Sequence, residues 1–337
     1  MHKEFLMGNA AIALGAVAAG VNVVAGYPGT PSTEVLETIA KHRPDDVYVE
    51  WSVNEKAAME LAAGASYAGA RSMVTMKQVG LNVASDPLMS LEYVGIKGGM
   101  VILVADDPGP ISSQTEQDTR HFSRFSKLPC FDPSSAQEAY EMIQEAFEYS
   151  EKYGTPVFLR PTTRVCHGYA SIMVKDETEY THHQPEGFIK DSKRWVIFPR
   201  LSFMNHKKIE ARNQELSDIF SSYEKNTIHP SCDAFKDSKK GIATGGISYT
   251  YTMETLKKTG MVKTLKIATP HPFPEKLAVD FLSGLDEVLC LEELDPVIER
   301  ELIYICGKYH LPTRINGKLS GHTACAGENT RDTITTY

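Results

Sequence analysis

From residue 5 to about residue 165, short apolar runs alternate with longer stretches in which apolar residues recur every three to four positions. The runs at 21–25, 47–51, 72–76, 100–105 and 156–160 have the length and β-branched content of strands. Between them, 33–41, 54–67, 81–93 and 135–153 carry helical spacing. Ser134-Ser-Ala-Gln-Glu138 supplies a capping signature for the last helix, and Ser32 or Thr33 a cap for the first. The alternation predicts βαβ units and a mainly parallel sheet with helices on both faces, an α/β fold, over residues 1–175. Residues 176–239 are polar, with a Lys/Arg-rich helical stretch near 204–223 and no strong strand alternation. They are expected to form a linker and a helical excursion that packs on the first unit. A smaller α/β unit is expected over 240–330, with strands at 241–245, 264–269 and 287–292 and helices at 248–259, 274–282 and 296–309.

Bulk properties narrow the classes of function. A chain of 337 residues favours two domains, and 42% hydrophobic with 23% charged residues describes an ordinary globular protein. A formal charge of −8 without a basic run argues against a nucleic-acid partner. Residues 1–26 are too interrupted to span a bilayer and lack a signal-peptide cleavage pattern, so a cytoplasmic location with no membrane partner is expected. The six cysteines form no CxxC pair and are read as ordinary thiols. No metal ligands are assigned. The adjacent His182 and His183 point apart on either regular structure, so they read as solvated linker residues.

Candidate chemistry collects where strands hand over to helices. Ala25-Gly-Tyr-Pro-Gly-Thr-Pro-Ser-Thr33 follows the first strand, and Gly29 lets the backbone approach a ligand. After the second strand, Glu55 is a lone carboxylate in the first turn of a small-residue helix. Such a residue is often no more than an acid favourable to the helix dipole. At the carboxyl end of a parallel sheet it also lies where open α/β sheets bind ligands. Met76-Lys-Gln-Val-Gly-Leu-Asn82 follows the third strand: Gly80 permits close approach, Gln78 and Asn82 offer donors, and Lys77 is a charge partner or a surface residue.

The Tyr-Pro-Gly-Thr-Pro loop with Glu55 about twenty residues on resembles the pyrimidine-binding domain of thiamine-diphosphate enzymes. It is most similar to the thiamine-diphosphate-dependent 2-oxoacid:ferredoxin oxidoreductases, and within them to the α subunit of the indolepyruvate branch. The resemblance implies that Glu55 is catalytic: it hydrogen-bonds N1′ of the aminopyrimidine and favours the tautomer whose exocyclic nitrogen takes the C2 proton. It implies that Gly29, Gln78, Gly80 and Asn82 lie against the cofactor, and that the second unit is like the C-terminal domain of transketolase. Thr30 matches a threonine that contacts the substrate carboxylate, or is simply part of a rigid turn. Where pyruvate-using relatives place an arginine after the fourth strand, this chain reads Val104-Ala-Asp-Asp-Pro-Gly109. Arg120 or Arg124 would then supply the substrate cation, or form an ion pair with Asp106 or Asp107. Leu291-Glu-Glu-Leu-Asp-Pro296 matches a structural segment of the family.

The resemblance further implies an enzyme component acting on aryl-2-oxoacids, giving acyl-CoA and passing electrons to ferredoxin. The alternatives are another 2-oxoacid (pyruvate, 2-oxoglutarate or a branched chain) or a non-catalytic assembly subunit. Implied partners are a second copy or a diphosphate-binding domain, a β subunit, ferredoxin and coenzyme A. The chain has no Gly-Asp-Gly for magnesium and no ferredoxin-type cysteine cluster. Magnesium, the diphosphate site and the iron–sulfur clusters are therefore expected in a missing part: this is the N-terminal half of a longer subunit or a split subunit, and it should not turn over alone.

Overall fold

Two sheets organise the chain, and the computed structural model describes every residue from Met1 to Tyr337. The first part runs β1 (His2–Met7), α1 (Gly8–Ala18), β2 (Val23–Gly26), α2 (Thr33–His42), β3 (Tyr48–Trp51), α3 (Glu55–Tyr67), β4 (Ser72–Lys77) and α4 (Gln78–Val94). It continues with β5 (Met100–Ala105), α5 (Thr119–Phe125), β6 (Cys130–Phe131), α6 (Ala136–Tyr153), β7 (Val157–Leu159), α7 (Thr163–His167) and β8 (Tyr169–Val174). Six of these strands form one sheet in the order β3-β2-β4-β5-β7-β6, with every neighbouring pair parallel. β1 and β8 pair antiparallel as a separate ribbon.

The parallel sheet follows from strands that are apolar on both faces. Every residue of β5 is buried, as expected of a strand covered on each side by helices. Ile12, Val24, Leu103 and Phe147 belong to the core on one face, and Met59, Val74, Leu88 and Ile102 to the core on the other. Helix α1 was not visible as a periodic pattern because nearly all of it is buried and it has no polar face. Its small residues let it lie directly on α6: a methyl group at Gly15 would stand 2.5 Å from Ile143 Cγ2. At α6 the Ser135 hydroxyl accepts from Glu138 N, while the Glu138 carboxylate turns back to Ser134. Neither Ser32 nor Thr33 caps α2. The Ser32 hydroxyl donates to Gly29 O and the Thr33 hydroxyl accepts from Gly29 N, so both tighten the preceding loop instead.

The second part runs α8 (Ser192–Trp195), α9 (Pro199–Phe220), β9 (Thr227–His229), β10 (Lys240–Gly245), α10 (Gly246–Thr259), β11 (Lys263–Ile267), α11 (Glu275–Leu282), β12 (Glu287–Leu291), α12 (Val297–Tyr309), β13 (Arg314–Asn316) and α13 (Arg331–Thr336). Its sheet has the order β13-β12-β10-β11-β9, parallel except for the edge strand β9. The polar stretch after β8 therefore serves both parts. Leu216 and Phe220 of α9, with Tyr223 after it, enter the first core, whereas β9 completes the second sheet. With three residues, β9 is too short to show an alternation.

A buried ionic cluster ties the carboxyl edge of the first sheet to the second. Arg160, just past β7, contacts Asp106 after β5 at 2.6 Å and Asp132 after β6 at 3.3 Å. Arg120 in α5 pairs with Asp118 at 2.6 Å and with Glu292 after β12 at 2.7 Å, and also donates to the carbonyls of Glu293 and Asp295. Glu292 in turn accepts the first N–H groups of α12, from Val297, Ile298 and Glu299. Burial raises the Asp106, Asp132 and Glu292 carboxyls despite the arginines. Burial opposes ionisation of Asp118 too, yet there the arginines win and hold it below the ordinary range.

This placement corrects the expectation that Arg120 is a substrate cation. Its side chain is buried and its donors are taken by chain oxygens. Arg124 is no replacement, since its exposed guanidinium pairs with Glu301. Removing one member of a buried charge pair strands the other, so Arg120→Ala should lose about 3–5 kcal/mol of stability in urea melts. Arg120→Lys should recover little of it, because a single ammonium cannot reproduce the forked contacts. A loss below about 1 kcal/mol for the alanine variant would refute the tie.

Burial pushes the neighbouring Glu293 carboxyl from its ordinary 4.5 up to about 7. The native chain then keeps a proton that the unfolded chain releases near 4.5, so stability falls as pH rises from 4.5 to about 7 and levels off above. Glu293→Gln should exceed the parent in stability at pH 8 by up to about 3 kcal/mol and match it near pH 4.5. Equal differences at both pH values would contradict the buried proton.

Candidate functional site

Because the first sheet is parallel, β2, β3, β4 and β5 all deliver their carboxyl ends to one edge. Strand order reverses between β2 and β4, which opens a crevice of the kind that holds ligands in open α/β sheets. The loop from Tyr27 to Pro31 leaves β2 on one side, and the first turn of α4 leaves β4 on the other. Asn9, a buried polar residue within the apolar α1, fixes the loop by donating to Pro31 O at 2.6 Å. Sequence reasoning missed Asn9, whose one signal was a lone amide among glycines and alanines.

The structure brings Glu55 and Gly80 together. Asn54 caps α3 by accepting from Ala57 N at 2.9 Å, which sets Glu55 at the first helical position. The Glu55 carboxylate lies over Gly80: a methyl group there would stand 2.5 Å from Glu55 Oε1 and 2.7 Å from its Cγ. Glu55 is 8% exposed and takes no hydrogen bond from any group of the chain. Gly29 faces the Lys77 side chain, where a methyl would come within 3.0 Å of Cγ. Thr30 is exposed on the loop, with its hydroxyl unbonded.

A loop after β5 reaches over the same edge and takes donors that sequence reasoning left free. The Asp107 carboxylate accepts from Ser112 N and Ser113 N, both at 2.8 Å, and from the Thr163 hydroxyl, which pins the loop. These bonds overcome the effect of burial and hold Asp107 below the ordinary carboxylate range. Asp107 is thus a brace and not a repelling charge in the crevice. The Gln78 amide donates to Thr115 O at 3.1 Å, Asn82 donates to Gln117 Oε1 at 2.9 Å, and Lys77 reaches Gln114 at 3.4 Å. The donor roles expected of Gln78 and Asn82 are therefore filled by this loop. Gln78 Oε1 stays buried with no partner. Tyr27, Trp51, Val53, Val83 and Ile111, which follow the carboxyl ends of β2 to β5 in the chain, are exposed apolar residues.

Away from this edge, His183 bonds the carbonyl of Gly69 and His182 is exposed. No helix is long and apolar enough to cross a membrane.

Residues 14–229 match the family described as pyruvate flavodoxin/ferredoxin oxidoreductase, thiamine diP-bdg. The chain is 43% identical over 324 residues to the indolepyruvate oxidoreductase subunit IorA of Methanothermobacter thermautotrophicus, a match covering 95% of this chain and 51% of that relative. It spans about half the length of the curated relatives it matches. Among solved structures, a 2-oxoglutarate:ferredoxin oxidoreductase from Magnetococcus marinus with 2-oxoglutarate, coenzyme A and succinyl-CoA bound aligns with a TM-score of 0.74. That match is at 17% identity and covers 94% of this chain and 62% of that one. A split gene transketolase, as an inactive beta4 tetramer, aligns at 0.60 with 15% identity over 92% of this chain and 87% of that one. At such identities these two show the fold: an α/β sheet domain followed by a smaller α/β domain.

Gly80→Ala should force the Glu55 carboxylate aside and cost about 1–3 kcal/mol, outweighing the helix propensity that alanine adds. In a Glu55→Ala background the same change should be neutral or stabilising. A thermal-melt cycle with equal cost in both backgrounds would show that the two residues do not share the space.

Proposed function

This chain belongs to the pyruvate flavodoxin/ferredoxin oxidoreductase, thiamine-diphosphate-binding family, and from that premise we propose that its crevice holds the aminopyrimidine of thiamine diphosphate. The single observation that carries the reading is the Glu55 carboxylate, which accepts no bond from the chain, keeps its oxygens open to solvent and is seated over a glycine at the edge where the strand order reverses. A carboxylate free of bonds within the chain is available to a ligand, and a protonated or proton-sharing ring nitrogen is the group that suits it. Gln78 Oε1 is a buried acceptor without a partner on the same edge and suits an exocyclic amine. These two acceptors, with Gly80 leaving room for the Glu55 carboxylate, fit the group.

When bound, the cofactor supplies the electron sink that decarboxylation of a 2-oxoacid requires. The chain's own part is to hold and move a proton at N1′ through Glu55. Gly80 lets the Glu55 carboxylate lie close over α4, and Gly29 does the same for the Lys77 side chain beside the loop. Asn82 acts at one remove, by fixing the loop through Gln117. Thr30, exposed at the crevice mouth, is the group left to meet a substrate carboxylate, since Arg120 is spent inside the fold.

The exposed apolar residues after β2 to β5 support a further protein surface closing this edge, either a second copy or a diphosphate-binding domain that brings magnesium. We place the iron–sulfur clusters, the β subunit and the contacts to ferredoxin and coenzyme A outside this chain, which would not turn over by itself. The overall reaction we propose is oxidative decarboxylation of an aryl pyruvate to its acyl-CoA in the cytoplasm, by analogy with the relatives named indolepyruvate oxidoreductase. A Glu55 carboxylate free of bonds within the chain favours this over a purely structural subunit.

In the complete assembled enzyme, Glu55→Gln keeps the shape but cannot hold the proton. Exchange of the cofactor C2 proton, followed by NMR, should slow by about 10²–10⁴-fold. Cofactor affinity should change far less. Unimpaired exchange would remove Glu55 from the chemistry, and binding lost altogether would make it an anchoring residue instead.

A further inference from the structure

A second polar cavity lies at the far end of α4, about 25 Å from the Glu55 crevice for a helix of 17 residues. It has a volume of about 400 Å³ and is walled by α4, the end of α6, α8 and α9. That size is within the range of small-molecule sites. The walls are fixed from several directions. Asn205 donates to Tyr93 O at 2.8 Å, Arg194 donates to Ile96 O at 2.7 Å with its guanidinium over Trp195, and Arg212 donates to Lys127 O at 2.9 Å.

The floor is chemically unfinished. Glu92 is 4% exposed, yet its Oε1 is buried without a partner, and the Tyr153 hydroxyl beside the cavity is buried without one too. Arg212 faces Glu92 across the cavity but is bonded to the Lys127 carbonyl and makes no ion pair with it. Burial pushes the Glu92 carboxyl up to about 7 even with Arg212 and Lys127 near, in keeping with a carboxyl that lacks a bonded partner. The mouth is different. Lys193 and Lys208 are exposed there and form no ion pair, and Arg194 adds a third charge. Asp191 is the one other acid, and it is occupied in capping α8.

Three cationic side chains around one opening suit a dianion better than a single carboxylate, and Lys and Arg are the usual binders of phosphate. The acceptors at the floor require donors. We propose that this cavity binds a small phosphomonoester bearing hydroxyl groups, with its phosphate between Lys193, Arg194 and Lys208 and its hydroxyls donating to Glu92 and meeting Tyr153. The site is independent of the thiamine-diphosphate reading and uses none of its residues.

Calorimetry on the 337-residue chain tests this with two probes, inorganic phosphate and glycerol 3-phosphate. Glycerol 3-phosphate should bind at least tenfold more tightly, because only it reaches the floor. The Lys193→Glu/Lys208→Glu variant, whose changes are on the surface and should leave circular dichroism unaltered, should lose both probes by tenfold or more. Glu92→Ala should lower glycerol 3-phosphate to the level of phosphate and leave phosphate unchanged. Equal affinity for the two probes, no heat from either at millimolar concentration, or binding that survives the double lysine change would overturn the proposal.

Discussion

Burial of charge at the carboxyl edge of the parallel sheet is the constraint from which the rest of the molecule follows. Asp106, Asp132 and Arg160 end three adjacent strands, and none of them can reach water. A buried charge left alone is prohibitively unfavourable, so each must find a partner. Arg160 serves the strand ends, and Arg120 extends the set to Glu292, which is also bound by the first turn of α12. The second sheet is thereby attached through directional bonds as well as apolar contact. Apolar contact alone would permit sliding; forked guanidinium contacts set one register.

The same edge contains the exception. Asp106, Asp107, Asp118, Asp132 and Glu292 all accept hydrogen bonds from the chain, whereas Glu55, whose oxygens still reach solvent, accepts none. A fold that satisfies its other acids here so thoroughly has the means to satisfy one more. Ser112 and Ser113 already brace Asp107 within the same loop. That Glu55 is left over, with its carboxylate accommodated by the missing side chain of Gly80, is what separates it from a helix-dipole acid. An acid favouring the dipole needs neither burial nor a glycine opposite.

The parallel sheet was legible because its strands are short apolar runs separated by periodic helices, and the position of Glu55 in the first turn of α3 because a strand and a capping residue precede it. Other features were hidden for identifiable reasons. Helix α1 has no polar face, so its pattern carried no period. Strand β9 is only three residues long. Arg120 follows Asp118 by two residues in a polar stretch, which in sequence is indistinguishable from an exposed ion pair. Its burial depends on Glu292, 172 residues away. Gln78 and Asn82 were placed on the right edge, but their donors were assigned outward because the loop that takes them is fixed by Asp107 contacting Thr163, 56 residues later. In each case the local residue type was informative and the partner was not.

These long-range dependencies bear on how the crevice can work. The loop carrying Gln114, Thr115 and Gln117 rests on α4 through side-chain amides and one carbonyl, whereas its base is held by the buried Asp107 and by Asp118 of the ionic cluster. Neutral hydrogen bonds near the surface contribute about 1 kcal/mol each, while stranding a buried charge costs several times that. The base of the loop is therefore fixed by the strong interactions and its seat on α4 by the weak ones, while Glu116 between them is held by Gly109 N and Gly327 N. A ligand entering beside Gln78 has to displace only the weak set, and Glu55 and Gly80 beneath it, set by α3 and α4, need not move. The rigidity of the edge thus lies in the ionic cluster, and the freedom to admit a ligand lies in the amide contacts on α4.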